Sequence, residues 1–217
     1  MSERYDGPPR NDEEQQRLLA DRPPAWEYLL FAGVLRQGLD KLSGKWRNHE
    51  LRLPARERQY LSGDDVADRL SAAFGRLGGI VEPLNRVFED QQSAFGAPGE
   101  AGDPQKIEHF ATWVIDAFED ILDWQAELRA LDAPSEFDQA LELAAQSADL
   151  PIERIHNFVT SVVSQSEQIP EFVARSKEEQ EAQPLVIEAT LYLEVDSPLM
   201  DRAIEEITRA HADWRAG

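Results

Sequence analysis

Residues 104–131 read PQKIEHFATWVIDAFEDILDWQAELRAL, and a single periodicity runs through all of them. Apolar side chains fall at Ile107, Phe110, Val114, Ala117, Ile121, Trp124, Leu128 and Leu131. The steps alternate between three and four residues, which places them along one side of an α-helix. Asp116, Asp120, Asp123 and Glu127 fall on the opposite side, with Glu119 close by. The spacing predicts one long helix with an apolar seam and an acidic back.

Working outward, the same step recurs on either side. Asp103 is placed to cap this helix, with Pro104 at its first position, where a missing N–H costs little. Gly96 to Gly102 reads as a loop by composition. Upstream, Val66, Leu70, Ala73, Leu77, Ile80, Leu84 and Val87 form a second seam, opened by a capping-box-like Ser62 and Asp65. Gly78, Gly79 and Pro83 interrupt it, but the phase carries through, which predicts one kinked helix over 64–95. Before that, a helix over 25–49 begins after Pro23-Pro24. It is apolar all round as far as Leu35, with Glu27 among its aromatic residues. A buried carboxylate there requires a partner, for which an arginine from another helix is the expectation. Residues 50–62 form a locally basic connector in which Leu51 and Leu53 suit a very short strand.

Downstream, Ser135 and Asp138 read as a further capping box for a helix over 135–147. Ile152, Ile155, Val159, Val162, Ser166, Ile169 and Val173 predict another over 150–174, kinked near its end by Pro170. Residues 176–184 are polar and read as a linker. At 185–195 the period changes to two: Ile187, Ala189, Leu191, Leu193 and Val195 alternate with Glu188, Thr190, Tyr192 and Glu194. That is a strand signal. A terminal helix over 198–214 follows.

The expected fold is therefore mainly α: an antiparallel bundle of long heptad-patterned helices, with one C-terminal β-strand and a terminal helix. Residues 1–22 read as a flexible acidic and polar tail. Residues 23–175 form the bundle, and 185–217 supply the strand and last helix, packed on it as one domain.

Composition limits the function. With 42 acidic and 22 basic residues among 217, the net charge is −20. That argues against nucleic-acid and anionic-membrane surfaces, which are held by Lys and Arg. It suits a basic protein partner or an acidic surface mimicking nucleic acid. No cysteine is present, so disulfides and thiolate metal sites are excluded. The first 17 residues contain no apolar core of a signal peptide, and a cytoplasmic location is expected. Arginine outnumbers lysine 18 to 4, a compositional bias of the kind seen in bacterial genomes.

Chemical motifs are sparse. Six carboxylates and no Lys or Arg lie between Lys106 and Arg129. Like charges one turn apart repel by roughly 0.2–0.5 kcal/mol per pair. Such a face serves a basic partner or a hard divalent cation, or is simply a solvated helix face. Glu153-Arg154-Ile155-His156 matches the Glu-x-x-His pair of di-iron bundles, but no second pair accompanies it. There is no nucleophile elbow, phosphate-binding glycine loop or zinc-protease motif. The leading expectation is a non-catalytic helical interaction protein: an adaptor, a regulator or a small subunit. It needs no cofactor, and it acts through Asp116, Glu119, Asp120, Asp123 and Glu127 and through the strand edge carrying Glu188, Thr190, Tyr192 and Glu194. That edge also offers a route to a homodimer. The alternatives are a metal-dependent all-α enzyme using the 116–123 carboxylates and an acidic inhibitor mimicking nucleic acid.

Overall fold

Asp103 opens the central helix. Its carboxylate accepts hydrogen bonds from the backbone N–H groups of Gln105 (2.9 Å) and Lys106 (3.4 Å), and Pro104 lies in the first turn. The computed structural model describes residues 26–47, 60–89, 92–95, 102–182 and 191–217. In chain order the helices are α1 (Trp26–Arg47), α2 (Gly63–Glu89), α3 (Gln92–Phe95), α4 (Pro104–Arg129), α5 (Asp138–Gln146), α6 (Asp149–Ser166), α7 (Ile169–Ala174), α8 (Lys177–Ala182) and α9 (Ser197–Ala216). A 3-10 turn, Ser135–Phe137, leads into α5. The protein is mainly helical. The tail over 1–22 and the short strand at Leu51–Leu53 lie outside the described residues.

α4 is surrounded by α1, α2, α3, α5 and α6. Its seam from Ile107 to Leu128 is buried, and so are Ala111, Ile115 and Phe118. The buried face is thus wider than the heptad seam, because neighbours pack on more than one side. The helix ends two residues before the seam does. The Ala130 N–H is shared between the carbonyls of Ala126 and Glu127, and the Leu131 N–H bonds to Leu128, a 3-10-like tightening.

Side-chain contacts fix the directions of the long helices. Phe31 stacks on Phe110 at 5.2 Å, Gly38 lies against Ile115, and Lys41 reaches Glu119 at 3.9 Å, so α1 and α4 rise together. α2 runs the other way: Phe88 meets Phe110 at 4.8 Å, while the Trp124 indole N–H donates to the Ala73 carbonyl at 2.8 Å. Successive long helices α1, α2 and α4 therefore alternate in direction. Phe31, Phe88, Phe95, Phe110 and Phe158 interlock where α1, α2, α3, α4 and α6 converge, in stacked and edge-to-face pairs.

Several boundaries differ from expectation, each for a local reason. α2 is continuous through Pro83, but its seam changes phase after the Gly78-Gly79 pair. Val81 and Phe88 are fully turned inward there, and Ile80 is only half-buried. A helix drifts about 20° per heptad against a strict 3.5 repeat, and one step of four after another absorbs the drift. Within the predicted 64–95 helix the described helical stretches are α2 and α3, and residues 90–91 lie outside the described residues. The expected 150–174 helix breaks at Glu167 and Gln168, and Pro170 sits in the first turn of α7, where its missing N–H is harmless. Ser62 and Asp65 do form the capping box. Ser135 and Asp138 do not, because the 3-10 turn feeds straight into α5 with no fresh helix start. The supposed linker at 176–184 contains α8, opened by a reciprocal Ser176–Glu179 box. These hydrogen bonds from Ser176 hold the Glu179 carboxyl below its ordinary range. Glu27 is partnered by the backbone N–H of Gly102 at 3.3 Å rather than by an arginine. A Cβ on Gly102 would meet Glu27, the Ala94 carbonyl and Ile107 within about 3 Å, so only glycine lets the backbone approach this closely.

The C-terminal strand is not seen. Residues 185–190 lie outside the described residues, and 191–196 run without regular secondary structure. Their side chains still alternate, with Leu191 and Leu193 buried and Tyr192 and Glu194 exposed. The period of two reports an extended chain with one face down; what it lies on is helix, not sheet. α9 follows, capped by Asp196, whose carboxylate accepts from the Leu199 N–H at 3.0 Å. It packs on α5, α2 and the 3-10 turn.

Candidate functional site

The five carboxylates expected to form a docking face sit on the outer strip of α4, between the flanks of α1 and α2. Asp116, Asp120 and Glu127 are exposed; Glu119 and Asp123 are half-buried. Glu119 leans toward Lys41 of α1, and Glu127 pairs with Arg76 of α2 at 2.8 Å. The strip is therefore less uniformly negative than the helix read alone. Bases from neighbouring helices border it at Glu119 and Glu127. Asp116 and Asp120, one turn apart, present their charge to solvent on a backbone held rigid by the buried seam beneath them.

The second expected group sits on different supports. Glu188 and Thr190 lie outside the described residues. Tyr192 projects into solvent at 61% exposure. Three backbone groups that a strand edge would leave open, the Tyr192 carbonyl and the N–H and carbonyl of Leu193, are taken by side chains of the same chain. The Asn85 side chain of α2 takes both backbone groups of Leu193: its amide NH2 donates to the Leu193 carbonyl at 2.8 Å, and its carbonyl oxygen accepts from the Leu193 N–H at 2.8 Å. From α6, Arg154 donates to the Tyr192 carbonyl at 3.0 Å and to the Glu194 carboxylate at 2.9 Å. Two side chains replace the neighbouring strand that a ladder would require.

Asn85 and Arg154 were not legible as site residues. Asn85 stands beside Leu84 of the seam. A polar amide at the edge of an apolar stripe was the available signal, and nothing in the sequence named its partner. Arg154 lies inside the Glu-x-x-His segment, whose Glu153 is exposed and whose His156 is half-buried. Among the described residues no three His, Asp or Glu side chains are gathered as a metal ion would require.

A third cluster joins the start of α2 to the end of α9. Asp64, in the first turn of α2, receives hydrogen bonds from His211 and Arg215 of α9, both at 2.6 Å. These hold the Asp64 carboxyl below its ordinary range. The Trp214 ring lies on Gly63, where a Cβ would stand 2.4 Å from the ring. Among the described residues no helix is long and apolar enough to cross a membrane. No family model matches the chain, and no curated protein or solved structure shows significant similarity to it.

Proposed function

We propose that this is a non-catalytic interaction protein, an adaptor or regulatory subunit, which presents the outer strip of α4 to a basic partner. The observation that carries the reading is the exposure of Asp116 and Asp120 on the most enclosed helix of the fold. A charge pair on a rigid element is pre-organised, so binding orders little of the protein. The net charge of −20 adds long-range attraction for a cationic surface. Lys41 and Arg76 mark the two sides of the strip and narrow the footprint to its middle.

The test separates this strip from general acidity. An arginine-rich peptide is titrated against the wild type, against D116K/D120K, and against a control reversal of equal charge, E153K/D201K, on exposed positions elsewhere. The reading predicts a loss of affinity several-fold larger for D116K/D120K than for the control, with binding that weakens as salt rises. Equal losses for the two reversals would reduce the strip to ordinary solvated surface.

A further inference from the structure

We propose that the surface carrying Asn85 of α2 and Arg154 of α6 is a receptor for an extended peptide of the pattern apolar-x-apolar-acidic, and that Leu191-Tyr192-Leu193-Glu194 is its resident, displaceable ligand. This does not rest on the acidic strip of α4. Asn85 grips the N–H and C=O of a single residue, each at 2.8 Å. That grip reads extended backbone and is indifferent to which chain supplies it, the way an adjacent strand would be. Specificity comes from the rest. The side chains two apart, Leu191 and Leu193, are 8% and 2% exposed, whereas Tyr192 between them points out. The Arg154 guanidinium spans the segment, with one nitrogen on the carbonyl of Tyr192 and the other on the carboxylate of Glu194. An acidic side chain one position after the clamped residue is thereby selected.

The resident segment belongs to no helix or sheet: residues 191–196 carry no regular secondary structure, with Leu191 and Leu193 buried and Val195 partly buried. α9 beyond it buries Ala203 and Ala210 and packs Leu199, Ile207 and Trp214, each partly buried, on the core. The ion pairs that fasten this part, Arg154–Glu194, His211–Asp64 and Arg215–Asp64, are all solvent-exposed on at least one side. Exposed pairs contribute little and are screened by salt. A partner protein carrying an apolar-x-apolar-acidic segment in extended form can make every contact the resident makes, and its arrival would release the chain's own segment.

The probe is a fluorescein-labelled decapeptide of residues 188–197, used with the full-length chain. In L191D/L193D the resident segment no longer fits its sockets, and the peptide should bind at least ten-fold more tightly than to wild type. Methylating the peptide nitrogen at the leucine corresponding to Leu193 removes one clamp hydrogen bond and should abolish that gain, as should adding N85A to the protein. A measurement on the wild type keeps the test independent of variant folding. Excess peptide should lower hydrogen-exchange protection of the chain's own Leu193 amide several-fold, and the N-methyl peptide should not. Binding indifferent to N-methylation, or unchanged Leu193 protection under saturating peptide, overturns the proposal. Wild-type dimers that N85A dissolves would show a second copy to be the occupant and would overturn the partner reading.

Discussion

Glycines in this chain carry opposite instructions, and only their surroundings tell them apart. Gly38 in α1 faces Ile115 so closely that a Cβ would lie 2.4–2.8 Å from three atoms of that buried, β-branched side chain. Gly75 in α2 meets nothing within 4 Å. Gly38→Ala gains helix propensity but overpacks a stiff neighbour; overpacking costs about 1–3 kcal/mol, so a net destabilisation is expected. Gly75→Ala has only the propensity gain and should stabilise by about 1 kcal/mol. Urea denaturation of the two variants checks the signs. Asp64 makes a pH prediction at the same scale. Its carboxyl is held below the ordinary value of 3.8 by the hydrogen bonds from His211 and Arg215. A depressed carboxyl contributes stability that is present above the ordinary value and lost as pH falls through the folded-state value. The wild type should therefore lose more stability than Asp64→Asn as pH drops below 3.8, and parallel urea midpoints across that window would contradict the pairing. Neither glycine nor Asp64 was distinguishable in the sequence. Gly38 depends on Ile115 and Asp64 on His211 and Arg215, each more than 70 positions away, and Gly75 differs in having no such neighbour; no local pattern encodes that distance.

At the scale of elements, local spacings carry the starts and faces of helices. The Asp103 cap, the Ser62–Asp65 box and the α4 seam are set by spacings of three and four residues. Elements went astray where an apolar period was absent or had two meanings. α8 has no apolar stripe and reads as a linker by composition, although Ser176 and Glu179 carry its capping signature. The alternation at 191–195 specifies an extended chain with one buried face, and says nothing of whether a strand or two helix side chains satisfy the backbone. Glu27 drew the expectation of an arginine because burial demands a donor, yet a backbone N–H freed by Gly102 meets the same demand. The element-scale prediction concerns Ile121, wholly buried in the middle of α4. Ile121→Asp places an unpaired carboxylate among apolar side chains and should destabilise by more than about 4 kcal/mol, well beyond an ordinary substitution. A variant that melts with the wild type would mean that α4 does not line the core.

At the scale of the whole molecule, α4 is the axis on which α1, α2, α3, α5 and α6 are assembled, with its acidic strip turned to solvent among the described residues. Aromatic side chains from α1, α2 and α3 close on its first half, backed by Phe158 of α6 against Phe31 and Phe88, and Trp124 fastens its second half to Ala73 of α2. The 191–196 segment and α9 contribute fewer fully buried side chains than α4: Leu191, Leu193, Ala203 and Ala210, with Val195, Leu199, Ile207 and Trp214 only partly buried. Such a hierarchy of burial implies a hierarchy of opening free energies. Native-state hydrogen exchange, followed amide by amide at low denaturant, measures it directly. The account predicts that the slowest amides lie between Ile107 and Leu128 and exchange only through global unfolding, while those of 191–216 open earlier. Exchange of the α4 amides through a local opening, with α9 still protected, would contradict it.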